Sequence, residues 1–149
     1  MRMRAIVLAG LVALAGCAGA AGPTTEPAAV PAAAAVDWTQ AQQVDIVLVD
    51  FAFQPSRIVL QRGQPYRLRL RDSGSGGHNF DAPAFFRTAA LRDGPAAAEI
   101  RGGHGALELG RGEVKEIDLV PTEAGSFPLE CSHLLHATIF GMTGEIVVE

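Results

Sequence analysis

Sulfur is scarce in this sequence, and so are clusters of basic residues. The 149 residues include two cysteines and three methionines, and twelve Lys and Arg face sixteen Asp and Glu. The only cationic run is Arg67, Arg69 and Arg71, whose alternate spacing is typical of the exposed face of a strand. Because nucleic acids are bound by clustered Lys and Arg, this composition argues against nucleic acid as a partner.

Long apolar runs are also missing. The apolar stretch at residues 5–15 is too short to cross a bilayer, which needs about 20 residues. It follows Arg2 and Arg4, and this order predicts an export signal over residues 1–16. Removal of that segment would change the formal charge from −4 to −6, because it holds two arginines and no acid.

The end of the predicted signal carries a recognisable motif. Leu14-Ala15-Gly16-Cys17 resembles the lipobox of bacterial lipoproteins, whose signal is cut before the cysteine. The resemblance implies lipidation of Cys17 and a periplasmic protein anchored to the inner or outer membrane. The alternative is an ordinary secretory signal cut near residues 18–20, with Cys17 discarded. Both interpretations predict that the protein leaves the cytoplasm.

Cys131 then becomes the single cysteine of the folded part. In an oxidising compartment it has no partner for an intramolecular disulfide. Such a thiol is buried and inert, reactive, or bound to a metal.

The composition divides the rest of the chain into a linker and a domain. From residue 18 to about residue 35 the sequence is mostly Ala, Pro, Thr and Gly and lacks the large apolar side chains of a core. We therefore expect a tether at residues 17–43, beginning with the lipidated cysteine, and a folded domain at residues 44–149.

The domain consists of short β-type runs separated by Gly and Pro turns. The strict alternation of Tyr66-Arg67-Leu68-Arg69-Leu70-Arg71 predicts a strand with one face on the core. Further strands are predicted at 44–49, 57–60, 78–80, 113–120, 125–130 and 144–148. This pattern predicts an all-β domain, an antiparallel β-sandwich. Segment 83–109 does not have a strand pattern, and we expect two short helical stretches there, near 85–91 and 96–100.

The sulfur atoms of the domain fall in one short segment. Cys131 and Met142 lie within twelve residues of each other, with His133 and His136 between them. Thiolate, imidazole and thioether are donors that copper favours in both oxidation states. Singly, each has an ordinary interpretation, since cysteine and methionine are common core residues. Together they favour a copper site, and His78, after a glycine-rich turn, would supply a ligand from a neighbouring strand.

The order of these residues resembles the cupredoxins, the blue-copper family that includes plastocyanin, azurin and amicyanin. The shared pattern is an upstream His78-Asn79, then Cys131, His136, Met142 and a final strand. The resemblance implies a Greek-key β-sandwich that holds one copper ion through the two histidines, the cysteine and the methionine. It also implies that Asn79 joins the two ligand loops by hydrogen bonds.

Two features depart from the family pattern. His133 stands between Cys131 and His136, where family members commonly carry Pro or Gly. It could replace His136 as a ligand, support the ligands from behind, or lie on the surface. The long segment 83–109 could be a simple helical excursion or a partner-binding flap near the copper. His104, within that segment, is expected to be a solvated loop residue rather than a metal contact.

The resemblance implies a monomeric one-electron carrier in the bacterial cell envelope. Leu134, Leu135 and Phe140 would form an apolar patch around His136 for a redox partner protein. One alternative is a periplasmic copper chaperone or storage protein, and another is a metal-free sandwich used in adhesion or assembly. An enzyme is the least expected class, since one small domain with two spare histidines offers little for further copper centres.

Overall fold

A computed structural model of the protein describes residues 36–133 and 141–149. The predicted signal, Cys17 and most of the predicted tether lie outside the described residues, as do Leu134, Leu135, His136 and Phe140. The elements are β1 (Gln42–Val49), β2 (Ala52–Gln54), β3 (Arg57–Leu60), β4 (Tyr66–Asp72), β5 (His78–Asp81), α1 (Pro83–Thr88), β6 (Ala90–Leu91), α2 (Pro95–Gly102), β7 (Ala106–Leu109), β8 (Val114–Val120), β9 (Gly125–Glu130) and β10 (Thr143–Val148). They confirm the predicted all-β sandwich with a helical excursion.

The strands form two five-stranded sheets that share one core. The first sheet has the order β2-β1-β4-β8-β6, and the second has the order β3-β10-β9-β5-β7. The alternation predicted for β4 is observed, since Tyr66, Leu68 and Leu70 are buried while the arginines between them face outward. Strand β4 therefore contributes one apolar face to the core and one charged face to the surface.

Phenylalanines from strands and helices fill the space between the sheets. Phe53 and Phe80 meet edge to face with ring centroids 5.9 Å apart, and Phe85 and Phe86 of α1 are 5.4 Å apart. Each of these four side chains is buried. Burial of one such side chain stabilises a fold by about 1.5–3 kcal/mol. Helix α1 is thus held to the sandwich by its two aromatic residues.

The two ends of the sandwich are different. We call the end at which β1, β4, β7 and β9 finish, and β5 and β10 begin, the upper end. Asp72 pairs with Leu48 there in the first sheet, and His78 pairs with Leu109 in the second. At the opposite, lower end, Gln42 pairs with Tyr66.

Segment 83–109 contains more strand than we predicted. Strand β7 pairs along the whole of β5, and the two residues of β6 pair with the end of β8. The prediction of no strand in this segment was wrong. Strands this short form because a neighbouring strand offers unpaired backbone groups at its edge, and their own sequence is too short to show an alternating pattern. Helix α2 agrees with the expected helical stretch, whereas α1 ends before β6.

Two of the strand pairings are parallel rather than antiparallel. Strand β1 runs parallel to β4, and β3 runs parallel to β10. A strictly antiparallel sandwich was therefore not the right description. Each parallel pair needs a crossover connection between the sheets, and this mixture follows from strands that change sheets along the chain.

The described part of the chain begins with a short turn against the first sheet. Trp38 lies in a 3-10 turn, Trp38–Gln40, and the guanidinium of Arg92 stacks over its ring, 5.6 Å from the centroid. Strand β1 follows from Gln42. Among the described residues, no helix has the length and apolar character needed to cross a membrane.

Candidate metal centre

His78 is the first residue of β5 and lies in the interior of the upper end. Its relative exposure is 0%. The loop 73–77 brings the chain from the end of β4 in one sheet to the start of β5 in the other. This loop therefore places the imidazole between the two sheets, where the sequence predicted a ligand.

Two carboxylates face the ring of His78. The Nδ1 atom lies 3.2 Å from Oδ2 of Asp72, which is buried at the end of β4. The Nε2 atom lies 3.7 Å from Oδ1 of Asp50, whose side chain is 42% exposed at the end of β1. The backbone N–H groups of Gly74 and Ser75 donate to Asp72 and Asp50 respectively, each at 2.8 Å. The loop and both carboxylates thus fix the imidazole from several sides.

Cys131 follows the last residue of β9 and is also 0% exposed. The backbone N–H of Asn79 points at its Sγ atom, 3.5 Å away. Burial raises the pKa of the Cys131 thiol, and the Glu108 and Asp72 carboxylates raise it further. The backbone N–H groups of Asn79 and His133 lower the pKa, because they stabilise the thiolate. The thiol is therefore protonated at neutral pH until a cation replaces the proton.

Asn79 connects the two strands that carry His78 and Cys131. Its Nδ2 donates to Oγ of Ser132 at 2.7 Å, and its Oδ1 accepts the backbone N–H of Ser132 at 2.7 Å. The side chain therefore makes two hydrogen bonds to the residue that follows the cysteine. This geometry agrees with the role that the resemblance implied for Asn79.

Met142 enters the same region from the other side of the loop. It is 0% exposed, and its carbonyl oxygen accepts the backbone N–H of Cys131 at 3.1 Å. It directly precedes β10, whose first residue pairs with Glu130. The hydrogen bond between the two backbones thus holds the cysteine and the methionine side by side at the upper end.

The remaining histidines have different surroundings. The side chain of His133 is 34% exposed, and its Nε2 contacts the carboxylate of Glu108 on β7. His104 is exposed in the turn before β7, next to the end of β7 that pairs with Asp81 rather than with His78. His104 and His78 therefore lie beyond opposite ends of the β5–β7 pairing. The predicted ligand His136 lies outside the described residues, and its role stays a prediction.

The upper end has the chemistry that copper requires. An imidazole, a thiol and a thioether, each with no exposed surface, lie at the same end of the sandwich. Within residues 36–133 and 141–149, no group of three or more His, Cys, Asp or Glu is arranged to hold a metal. The thioether of Met142 is a further donor near Cys131, and His136 lies outside the described residues. The donor set fits a soft or borderline ion, and oxygen-preferring ions such as Mg²⁺ would leave the two sulfur donors unused.

The fold and this cluster of donors define a protein with the cupredoxin fold. Auracyanin of the photosynthetic bacterium Roseiflexus castenholzii has a TM-score of 0.51 and 17% identity, over 73% of this chain and 98% of that chain. Auracyanin B has a TM-score of 0.52 and 20% identity, over 76% and 93%. Auracyanins are cupredoxins, so the predicted resemblance is confirmed at the level of the fold.

The same fold occurs in a larger assembly as well. A chain of a heme-copper terminal oxidase dimer has a TM-score of 0.50 and 12% identity, over 74% of this chain and 67% of that chain. No protein-family model and no curated protein matches the sequence. At such low identity a similar fold does not establish a function, so the function has to be inferred from the residues of the site.

Asp72 is the residue of the site that we did not predict from the sequence. A signal for it exists, because the core positions of β4 are Tyr66, Leu68 and Leu70, and Asp72 continues the same alternation. An acid in a core position of a strand has to be paired or hydrogen-bonded. The alternation would therefore have indicated a buried carboxylate before the glycine-rich loop.

Proposed function

We propose that this protein is a one-electron carrier that holds a single copper ion through His78, Cys131, His136 and Met142. The observation that carries the proposal is the convergence of a buried imidazole, a buried thiol and a buried thioether at the upper end of a cupredoxin-fold sandwich. A bound copper ion would supply the one-electron couple. The surrounding residues would hold and orient the four donors.

Those residues hold the donors by backbone pairing and hydrogen bonds of the protein itself. Strand β5 fixes His78, and the hydrogen bond from Cys131 to the carbonyl of Met142 fixes the two sulfur donors relative to each other. The N–H of Asn79 directs a positive partial charge at Sγ, which stabilises a thiolate. Because these contacts hold the donors, the donors would move little when the charge of the ion changes. A small rearrangement favours fast electron transfer.

The proposed location and partner rest on motifs of the sequence. We propose that lipid on Cys17 holds the carrier at a membrane of the bacterial cell envelope. A redox partner would dock beside His136, on Leu134, Leu135 and Phe140. A small apolar patch suits a partner that binds briefly. Loss of the protein from the membrane fraction in a Cys17→Ser variant would support the anchor, and unchanged membrane association would contradict it.

The first experiment is the visible and electron-spin-resonance spectrum of the purified protein with added Cu(II). We expect an intense thiolate-to-copper band and narrow copper hyperfine splitting. Cys131→Ser should abolish the band, whereas Cys17→Ser, which removes the only other thiol, should leave it unchanged. A folded protein without a thiolate band would contradict the copper site.

A second experiment separates a carrier from a copper chaperone. A carrier holds copper in both oxidation states, whereas a chaperone releases it to an acceptor. We expect the copper-loaded protein to undergo repeated reduction and reoxidation without loss of metal to a chelator. Transfer of copper to the chelator on reduction would favour the chaperone alternative. His133→Ala should keep the spectrum of the wild type if His136, and not His133, is the second imidazole ligand.

A further inference from the structure

A groove opens between the two helices and the turn that leads into β7. Its volume is about 460 Å³, within the range of about 300–1,000 Å³ that is usual for small-molecule sites. Its apolar walls include Phe86 of α1, Leu91 of β6 and Ile100 of α2. Gly105 also lines it, beyond the end of the β5–β7 pairing that lies opposite His78. The groove is therefore separate from the candidate metal centre.

Backbone hydrogen bonds hold the turn 103–105 against both helices. The N–H of Gly105 donates to the carbonyl of Ile100 at 2.8 Å, and the carbonyl of Gly105 accepts the N–H of Ala82 at 3.0 Å. A Cβ atom on Gly105 would lie 2.5 Å from Cα of Pro83, so the turn packs directly on the start of α1. These contacts fix the side of the groove that the turn provides, and ligand sites are usually preformed in this way.

The charged side chains that line the groove are all basic. They are Arg87, Arg101 and His104, and none of the described lining residues is acidic. The guanidinium of Arg101 is held in place, since it donates to Oδ1 of Asp93 at 2.9 Å and to the carbonyl of Leu91 at 3.3 Å. The side chain of Asp93 is 94% exposed, so solvent screens this ion pair. The side chains of Arg87 and His104 have no ion pair or hydrogen bond with another described residue.

The backbone of His104 is strained where its side chain lines the groove. Its φ angle is 60°, in the left-handed region that is unfavourable for a residue with a Cβ atom. Gly103 and Gly105 flank it, so glycine is already used on both sides of this one position. Retained strain of this kind is concentrated at ligand sites. It is consistent with a use for the imidazole at the groove.

We propose that this groove binds an amphiphilic anion, an apolar chain that ends in a carboxylate or phosphate head group. The chain would cover the apolar walls, and the head group would accept hydrogen bonds from the two guanidinium groups. A neutral apolar ligand would leave the basic side chains without a counter-charge. A small hydrophilic anion would leave the apolar walls exposed to water. The proposal does not depend on copper binding and adds a second site to the domain.

Titration of the copper-free protein with decanoate, followed by NMR below the concentration at which decanoate forms micelles, is the first test. Decanol has the same chain without the charge, and acetate has the head group without the chain. We expect saturable shifts of the amide signals of Phe86, Ile100 and His104 with decanoate, much weaker binding of decanol, and none of acetate. A parallel titration with decyl phosphate identifies the preferred head group. Equal binding of decanol and decanoate, or no saturable shifts with either anion, would overturn the proposal.

Arg87→Gln and Arg111→Gln form a matched pair of variants. Both arginines are exposed, and Arg111 lies in the turn beyond the other end of β7. We expect Arg87→Gln to weaken the binding of the preferred anion about fivefold, because one charged hydrogen bond is lost. Arg111→Gln should leave the affinity unchanged. Equal effects of the two substitutions would show attraction to the protein's charge in general and would overturn the proposed groove site.

Discussion

Gly74 and His78 lie so close together that a single methyl group does not fit between them. A Cβ atom on Gly74 would be 2.4 Å from Cε1 of His78 and 2.7 Å from Oδ1 of Asp50. The imidazole has no room to retreat, since it is buried between the two sheets, and the partly exposed carboxylate of Asp50 can move only by giving up the N–H of Ser75. The loop can therefore pass over the imidazole only because this position is glycine.

Gly74→Ala should consequently displace the imidazole. We expect a loss of about 1–3 kcal/mol in the free energy of unfolding of the copper-free protein, because overpacking forces shifts of this kind. Copper affinity should fall at the same time, as measured by competition with a chelator. Gly76→Ala is the control, because a Cβ there meets nothing within 4 Å. Similar losses in both variants would show that loop flexibility, and not contact with His78, is responsible.

Asn79→Ala should loosen the connection between the two ligand-bearing strands. It removes both hydrogen bonds to Ser132, and it leaves a backbone N–H without its acceptor. We expect a loss of about 2–3 kcal/mol in the free energy of unfolding, measured with denaturant.

Ser132→Ala is the matched control for that change. It removes only the bond to the hydroxyl and keeps the bond from the Ser132 N–H to Asn79. We expect a loss of about 1 kcal/mol. Equal losses in Asn79→Ala and Ser132→Ala would contradict the importance that we assign to the backbone contact.

Burial of Cys131 predicts that the copper-free protein loses stability in alkali. Burial raises the pKa of the thiol in the folded state, so the unfolded chain gives up this proton first as the pH rises. The stabilisation is complete below the ordinary thiol pKa of about 9.0 and declines as the pH passes above it. Denaturant unfolding between about pH 7 and 10 should show this decline. A Cys17→Ser background leaves one thiol, and Cys131→Ala on it should flatten the curve. An unchanged slope would contradict the prediction.

The ion pairs of Asp118 lead us to expect a loss of stability in acid. The hydrogen bond from Arg67 lowers the pKa of this carboxyl from its ordinary value near 3.8, and Arg92 lowers it further. Its stabilisation is therefore present above that value and is lost as the pH falls through the lowered pKa. We expect Asp118→Asn to cost about 1 kcal/mol at pH 7, a modest amount because Arg67 is 37% exposed and solvent screens the pair. The difference from wild type should shrink in acid.

Glu116→Gln is the control on the same strand. Its carboxylate is 48% exposed and lies 3.8 Å and 3.6 Å from Arg67 and Arg69. We expect a loss below about 0.5 kcal/mol and little change with pH. A larger effect from Glu116→Gln than from Asp118→Asn would contradict the ranking by burial and distance.

The strands that the sequence predicted well are those with several alternating residues. Strand β4 buries one face over all of its seven residues, and β8 buries Ile117 and Leu119 on alternate positions, so their period can be read locally. Strands β6 and β7 have two and four residues, and they exist because β8 and β5 present open edges to them. Such edges exist only in the assembled sheet, so the sequence of a short segment does not show which edge it will pair with.

Some residues of the candidate site were predicted from the sequence, and one was not. The order of Cys131, Met142 and His78 along the chain indicated a shared site, and the structure brings these three residues to the upper end. Their role as copper ligands stays a prediction. Asp72 was missed because its partner His78 is six residues away across a loop, and only the packing of the two sheets places the carboxylate against the ring.

The direction of β1 determines which end of the domain the predicted tether joins. The polypeptide before Gln42 joins the domain at the lower end, and the eight residues of β1 carry it about 25 Å to the level of His78. If lipid on Cys17 is the anchor, an upright domain points its upper end away from its own membrane. Water-soluble partners then approach from the open side. A partner embedded in the same bilayer would meet the upper end only when the predicted tether at residues 17–43 lets the domain turn over.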